Sequence, residues 1–279
     1  KKNFAITHFF NPPRYLNLFE VIPGPDCDKN VLDFLMEYGE KFLGKTSVLA
    51  KDTPAFIGNR IGTFGIQSLF HQVKNGEFSV EEIDKLTGSA IGRPKSATFR
   101  TADVVGLDTL CHVANGIYEN CPSDESRDVF KLPDFLKRML EEKMLGSKTN
   151  QGFYKKIKGK DGKSKILSLD LKSFEYKDQK KVNFETLNVA RKAKNRTDKF
   201  KILVSGEDRA SDFYREVFAK MFAYVQNRIP EISEDIHSID SALRAGFGWK
   251  EGPFEIWNYI GVKEGVELMK KFDLEPAKW

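Results

Sequence analysis

Two adjacent prolines between two short apolar runs constrain the fold of this chain more than any other feature. Residues 4–7 and 18–22 are rich in β-branched and aromatic side chains, which predicts two strands. Pro12 and Pro13 lack backbone N–H groups and have a fixed φ angle. They therefore end the first strand and force a connection to the second.

A histidine and a carboxylate lie on these two predicted strands, as His8 and Glu20. If the strands pair, at a spacing of about 4.8 Å, the Glu20 carboxylate can reach a ring nitrogen of His8. A carboxylate at that position fixes the imidazole tautomer and leaves the other ring nitrogen free to accept a proton. Spacing alone leaves an alternative open, in which a structural histidine packs at a sheet edge and an unrelated glutamate is solvated.

The composition favours a globular protein that acts on small molecules. Of 279 residues 30% are charged, and 45 Lys and Arg against 40 Asp and Glu give a net charge of +5. This mild excess suits an anionic small molecule and argues against nucleic acid. Three cysteines without a CxxC pair and four scattered histidines predict reduced thiols, no metal site and a cytoplasmic location.

The ends and the hydropathy of the chain suggest two further expectations. No apolar run approaches the ~18 residues that a membrane span needs, so we expect no membrane association. The chain begins at Lys1, without a methionine and directly on a predicted strand. We expect it to be a piece of a longer protein.

The first half of the chain is predicted to pass from an α/β portion to a helical portion. Residues 1–52 give strand, strand, helix over 29–43 and strand over 46–50, which we interpret as the last part of an α/β sheet. Pro54 is suited to the first turn of a long helix that reaches residue 74 and carries Asn59. Further helices are predicted from about residue 80 to the glycines at 88 and 92, over 97–105 and 108–118, and over about 133–144.

The second half begins with a predicted hairpin and then repeats a pattern from the first. Residues 153–157 and 165–169 flank an Asp161-Gly162 turn, and their lysines are typical of exposed edge strands. Residues 172–200 are charged and mostly linker, with a helix starting near Phe184, and residues 208–228 form an amphipathic helix. The pattern from Ile83 to Gly106 recurs from Ile239 to Gly261, which predicts two copies of a small helical unit.

Three ordered motifs resemble the L-3-hydroxyacyl-CoA dehydrogenase family. They are residues 8–12, HFFNP, followed by Glu20; residues 51–60, KDTPAFIGNR; and residues 148–154, KTNQGFY. The second copy carries the family's helical-domain pattern at residues 252–261. The tandem copies and the turn at 93–99 resemble the microbial form in which an enoyl-CoA hydratase domain is fused to the dehydrogenase.

The resemblance implies a mostly α fold class. It implies two tandem helical C-terminal domains of the 3-hydroxyacyl-CoA dehydrogenase type, similar to that of 6-phosphogluconate dehydrogenase, after the last strands and helix of a truncated Rossmann domain. The expected domains are a Rossmann remnant at 1–52, a first helical domain at 53–150, a hairpin and linker at 151–185, and a second helical domain at 186–279.

The resemblance also implies a reaction, the NAD-dependent oxidation of an L-3-hydroxyacyl-CoA to the 3-ketoacyl-CoA. His8 would take the hydroxyl proton, Glu20 would orient His8, and Asn59 would hydrogen-bond the substrate oxygen. Lys148 would contact the NAD cofactor, and Asn11 would lie near the nicotinamide. The partners would be an acyl-CoA substrate, with no nucleic acid and no membrane.

The chain departs from the family pattern at three points. It has no G-x-G-x-x-G turn after a strand, and the family's active-site serine would lie upstream of Lys1. Asn150 stands where the family usually has glycine, although asparagine tolerates a positive φ angle. We therefore expect a fragment that lacks most of the NAD-binding domain, binds NAD weakly and turns over poorly.

Two other interpretations remain open from the sequence. One is a non-catalytic helical interaction module derived from this family, against which the intact His8, Glu20 and Asn59 argue. The other is a dehydrogenase of the 6-phosphogluconate type, but no cluster of phosphate-binding cations lies beside His8. In a 3-hydroxyacyl-CoA dehydrogenase, tandem helical copies would build internally the interface that single-copy family members form as dimers. We therefore expect an internal pseudo-dimer that is a monomer or weak homodimer.

Overall fold

The computed structural model describes residues 1–74, 76–159 and 163–279. The chain forms two compact units, one of residues 1–62 together with 193–279, and one of residues 63–192. The domain boundaries expected from the sequence follow the chain order and stay a prediction. Within the described residues no helix is both long and apolar enough to cross a membrane.

The sheet of the first unit contains three strands in the order β1-β2-β3. They are β1 (Ala5–Phe9), β2 (Leu18–Pro23) and β3 (Thr46–Leu49). β1 pairs with β2, and the two strands are antiparallel, whereas β3 runs parallel to β2. α1 (Lys29–Lys41) makes the connection between β2 and β3. The centre of this sheet is β2, in which every residue from Leu18 to Ile22 is buried.

α2 (Gly58–Lys74) begins four residues later than the predicted start at Pro54. Residues before it form a turn, in which the N–H of Phe56 donates to the carbonyl of Thr53 and Ala55 and Phe56 have positive φ angles. The Glu20 carboxylate accepts the N–H groups of Ile57 and Gly58, at the point where the helix begins. A helix start needs acceptors for its first N–H groups. Here the acceptor is the carboxylate of Glu20, which lies on β2. The sequence around the helix therefore predicts the wrong start.

The second unit combines helices with a second three-stranded sheet. Its elements after α2 are α3 (Val80–Thr87), α4 (Phe99–Val105), α5 (Leu107–Asn120), α6 (Asp134–Glu141), β4 (Tyr154–Lys158), β5 (Ser164–Asp170), β6 (Glu175–Asp178) and α7 (Glu185–Ala190). The capping box of Ser79 and Glu82 at the start of α3 is confirmed. The hairpin of β4 and β5 is also confirmed, whereas its predicted Asp161-Gly162 turn lies outside the described residues.

Five helices complete the first unit. They are α8 (Arg196–Ser205), α9 (Arg209–Asn227), α10 (Ile236–Phe247), α11 (Pro253–Ile260) and α12 (Val262–Lys271). α9 agrees with the amphipathic helix predicted over 208–228. Its buried aromatic side chains pack on those of α11, with the rings of Phe222 and Trp257 stacked at 5.0 Å.

Two buried or partly buried aspartates make corresponding contacts in the two units. Asp84 accepts the N–H groups of Thr98 and Phe99 at the start of α4, and Asp240 accepts those of Phe254 and Glu255 at the start of α11. Burial raises the pKa of Asp84 to about 6 and that of Asp240 to about 7. α4 and α11 each end at a glycine with a positive φ angle, after which another helix begins at once.

The expected mostly α fold class is wrong. About half of the chain is helical, and the described residues form a three-stranded sheet in each unit. β6 lies in the charged segment that the sequence predicted to be mostly linker, whereas α7 agrees with the helix predicted to start near Phe184. That composition misleads because β6 pairs with β5 through main-chain groups and leaves its charged side chains in solvent.

Candidate active site

His8 and Glu20 lie directly opposite each other on β1 and β2. The Nδ1 atom of His8 is 2.6 Å from the Oε2 atom of Glu20. Paired residues of antiparallel strands project from the same face of the sheet. The predicted contact is therefore present, and it is set by the register of the two strands.

Glu20 is fully buried and anchored at its other oxygen. Its Oε1 atom accepts the N–H of Ile57 at 3.0 Å and the N–H of Gly58 at 2.9 Å. A carboxylate can only accept hydrogen bonds, so the hydrogen of the His8–Glu20 contact sits on Nδ1. The Nε2 atom then carries the lone pair, and it has no hydrogen-bond partner among the described residues. The side chain of His8 is 29% exposed, which leaves this nitrogen open to a substrate.

Aromatic rings enclose the imidazole of His8. The ring of Phe10 meets it edge-on at 5.6 Å, and the ring of Phe56 lies 5.4 Å away. Gly58 makes this packing possible, because a Cβ atom there would be 2.7 Å from Cζ of Phe10. The position of the imidazole is thus fixed by packing as well as by the hydrogen bond to Glu20.

Asn59 lies in the first turn of α2, next to the glycine whose N–H contacts Glu20. Its half-exposed side chain has no hydrogen-bond partner among the described residues. The fully buried Arg60 anchors this turn through its Nε atom, which donates to the Tyr224 hydroxyl at 2.8 Å, and its Nη2 atom, which donates to Glu231 at 3.0 Å. The amide of Asn59 therefore projects from a helix turn that is held on both sides.

Two sequence models of one family match this part of the chain. The 3-hydroxyacyl-CoA dehydrogenase NAD-binding domain matches residues 1–53, and the C-terminal domain of the same enzyme matches residues 56–156. Together they cover the site and more than half of the chain. The chain belongs to the 3-hydroxyacyl-CoA dehydrogenase family.

Relatives resemble the chain over nearly its whole length. A probable 3-hydroxyacyl-CoA dehydrogenase of Bacillus subtilis is 44% identical over all of this chain, and a putative fatty acid oxidation complex trifunctional enzyme of Rickettsia prowazekii is 28% identical over 97% of it. The chain spans only 35% and 36% of the length of these two relatives. The crystal structure of 3-hydroxybutyryl-CoA dehydrogenase from Escherichia coli K12, at 18% identity and a TM-score of 0.71, shares the fold over 98% of this chain and 68% of its own.

These matches correct the expectations of a truncated Rossmann domain and of a fragment that lacks most of its NAD-binding domain. Residues 1–53 match the NAD-binding domain of 3-hydroxyacyl-CoA dehydrogenases, and the Escherichia coli fold extends over nearly the whole chain. The error arose because the absence of one turn motif, G-x-G-x-x-G, was taken as the absence of most of the domain, whereas residues 1–53 match the domain without that motif. The expectation of weak NAD binding and poor turnover stays a prediction.

The expected cofactor, NAD, is confirmed by the match to the NAD-binding domain. The exposed amide of Asn11 follows β1 and has no hydrogen-bond partner among the described residues, and its place near the nicotinamide stays a prediction. Lys148 lies in the second unit, where its Nζ atom donates to both oxygens of Asp108 at 2.5 and 2.6 Å and lowers the pKa of that carboxyl. Asn150 adopts a φ of 58°, as its tolerance of left-handed backbone suggested.

Sequence reasoning missed the groups that position the predicted pair. The N–H groups of Ile57 and Gly58, the ring of Phe56 and the Arg60 contacts with Tyr224 and Glu231 depend on long-range packing. One signal was present in the sequence, since Gly58 interrupts a helical pattern next to a polar residue, and such a glycine often marks a close approach.

Proposed function

We propose that this chain provides the catalytic acid–base residues of an NAD-dependent L-3-hydroxyacyl-CoA dehydrogenase, which oxidises its substrate to the 3-ketoacyl-CoA. The observation that carries the proposal is the contact of His8 with Glu20, whose second oxygen is held by two backbone N–H groups. The names of the relatives in Bacillus subtilis and Rickettsia prowazekii support the substrate class and a place in fatty acid oxidation.

The proposed chemistry begins with the hydroxyl group of the substrate. The Nε2 lone pair of His8 accepts the hydroxyl proton. NAD, when bound, would supply the acceptor for the hydride that leaves the same carbon. The imidazolium that results is stabilised by the buried Glu20 carboxylate, which does not itself take up the proton. In the reverse direction, His8 returns the proton to the carbonyl oxygen of the 3-ketoacyl-CoA.

Three other residues have proposed roles in binding. Asn59 donates a hydrogen bond from its free amide to the reacting oxygen and so orients the hydroxyl group. Asn11 would lie near the nicotinamide of bound NAD, and Lys148 would help to hold the cofactor as a cation. Among these, Asn59 has the strongest support, since it lies in the same helix turn as Gly58, whose N–H holds Glu20.

The decisive experiment is a His8→Gln substitution in the complete protein. NADH formation from L-3-hydroxybutyryl-CoA and longer homologues should fall by roughly 10²–10⁴-fold in kcat, the contribution typical of a general base. His237→Gln is the matched control. His237 contacts none of the proposed site residues and lies near Ser241 on the exposed face of α10. Retention of kcat within a few-fold in His8→Gln would contradict the assignment of the base.

Further parts of the proposal concern assembly and location. A relative named as a trifunctional enzyme supports the presence of further activities in the complete protein. The resemblance implies that one of them is enoyl-CoA hydratase, which hydration of crotonyl-CoA by the complete protein tests. The corresponding contacts of Asp84 and Asp240 support an internal pseudo-dimer, and sedimentation should show a monomer or weak homodimer. None of the three cysteines forms a disulfide, which supports a reducing compartment such as the cytoplasm.

A further inference from the structure

A concave surface of the second unit gathers an unusual number of cations. It has a volume of about 530 Å³. The cations that line it are Lys85, Lys95, Arg100, Lys180 and Lys181. They come from α3, from the connection to α4, from α4 itself and from the segment after β6. We call this surface the basic pocket.

None of these five cations forms an ion pair within 4.0 Å with any described residue. Other cations of the same unit are paired, such as Lys131 with Asp128, Lys137 with Asp134, and Arg138 with Glu142. All five side chains are exposed. A group of unpaired cations around one depression creates a positive potential that attracts an anion.

The basic pocket also contains two carboxylates, so its five cations leave an excess of three positive charges. Asp84 accepts the Tyr154 hydroxyl at 2.7 Å and the N–H groups at the start of α4. Glu81 accepts the hydroxyl of Ser168. Because both carboxylates are directed to groups of the protein, the positive charge at the mouth of the pocket stays available for a ligand.

An apolar wall lies beside the cations. It consists of Ile166, which is 47% exposed, with Val182 and the ring of Tyr154. Small-molecule sites have volumes of about 300–1,000 Å³ and combine apolar walls with a few polar groups. A single phosphate would satisfy one or two of the cations and leave the apolar wall without a partner.

We propose that the basic pocket binds a multiply phosphorylated adenine nucleotide, with the phosphates on the cations and the base on the apolar wall. Two sources share this chemistry, the 3′-phosphorylated adenosine diphosphate end of coenzyme A and a free nucleotide such as ATP. For the coenzyme A source the inference rests on the proposed function, whose substrate is an acyl-CoA, whereas binding of a free nucleotide would be independent of it. All the residues that carry the inference lie in the second unit, away in sequence from His8 and Glu20.

The test is isothermal titration calorimetry of the complete protein with adenosine 3′,5′-bisphosphate, coenzyme A, ATP and, for comparison, adenosine. The test variant carries Lys95→Gln, Lys180→Gln and Lys181→Gln together. The control carries Lys143→Gln, Lys156→Gln and Lys158→Gln, which removes the same charge from exposed positions of the same unit outside the pocket. Circular dichroism and thermal unfolding confirm that both variants fold as the parent does.

The expected result is saturable binding of at least one phosphorylated probe, weakened on the order of tenfold or more in the test variant and by less than twofold in the control. Raising the salt concentration should weaken binding further, because exposed charges are screened. Preference for coenzyme A and the bisphosphate over ATP would identify coenzyme A as the source, and the opposite preference would identify a free nucleotide.

Three results would overturn the inference. They are no saturable binding of any phosphorylated probe at low salt, equal loss of affinity in the test and control variants, and binding of adenosine as strong as that of its bisphosphate. NADH formation, measured separately, reports on the proposed dehydrogenase, so the failure of either proposal is recognised without the other.

Discussion

Replacement of Glu20 by glutamine isolates the role of the carboxylate with little change in shape. The amide oxygen can still accept the N–H groups of Ile57 and Gly58, as the Oε1 atom does now. The amide nitrogen would then occupy the position of Oε2, 2.6 Å from Nδ1 of His8. An amide nitrogen can only donate, so Nδ1 must become the acceptor and the hydrogen moves to Nε2. The nitrogen that should take the substrate proton would then already carry one.

The magnitude follows from the change of tautomer. A wrong imidazole tautomer in a comparable site lowers kcat by about 10⁴-fold, and a fall of about 10³–10⁴-fold here corresponds to roughly 4–5 kcal/mol of transition-state stabilisation. The free energy of unfolding should change by less, within about 2 kcal/mol. The variant loses charge-assisted hydrogen bonds, but it no longer buries a charged group.

The assay measures kcat and KM for L-3-hydroxybutyryl-CoA and NAD from NADH absorbance in the complete protein. We expect KM to change by only a few-fold, because Glu20 is fully buried beneath His8 and not exposed to substrate. Glu82→Gln is the matched control, since this glutamate belongs to the capping box of α3 and should leave kcat unchanged. A kcat of Glu20→Gln within tenfold of the parent, with folding intact, would refute the reasoning.

Three further predictions concern packing, pH and a buried amide. Gly58→Ala should lower the free energy of unfolding by about 1–3 kcal/mol and reduce kcat, because its Cβ would lie 2.7 Å from Phe10. Urea unfolding measures the first effect and the NADH assay the second. An unchanged kcat would contradict the close fit. The pKa of Asp240 is raised to about 7 by burial, so its folded-state proton stabilises the protein at low pH and that contribution is lost as the pH rises towards 7. Asp240→Asn should accordingly flatten the fall of the unfolding free energy between pH 5 and 7, whereas equal slopes in urea titrations would count against this. The buried side chain of Gln67 has no hydrogen-bond partner among the described residues. Gln67→Met should therefore raise the free energy of unfolding by about 1–3 kcal/mol. A clear loss of stability would show that the amide does form hydrogen bonds.

Local patterns were sufficient for most of the elements that carry the candidate site. The β-branched runs and the two prolines placed β1 and β2, and the twelve-residue spacing of His8 and Glu20 then followed from antiparallel pairing. The bounds predicted for α1 and α9 from their helical periodicity also agree with the structure to within a few residues. These features depend on residues that are close together along the chain, and the sequence shows those residues directly.

Long-range contacts explain what the sequence could not show. The start of α2 depends on the Glu20 carboxylate, which reaches it from 37 residues away in the chain. Similarly, Arg60 is held by Tyr224 and Glu231, which lie more than 160 residues further on. The strand β6 escaped notice because its side chains are charged and solvated, while its main chain pairs with β5. In each case the deciding partner is distant in sequence.

The central claim is that Glu20 holds His8 with its hydrogen on Nδ1 and its lone pair on Nε2. Nitrogen-15 NMR of protein labelled selectively at histidine reads this tautomer from the two ring shifts, at a pH at which the ring is neutral. His8→Gln assigns the signal among the four histidines. The account expects protonated Nδ1 in the parent and protonated Nε2 in Glu20→Gln. Protonated Nε2 in the parent, or the same tautomer in both proteins, would contradict it.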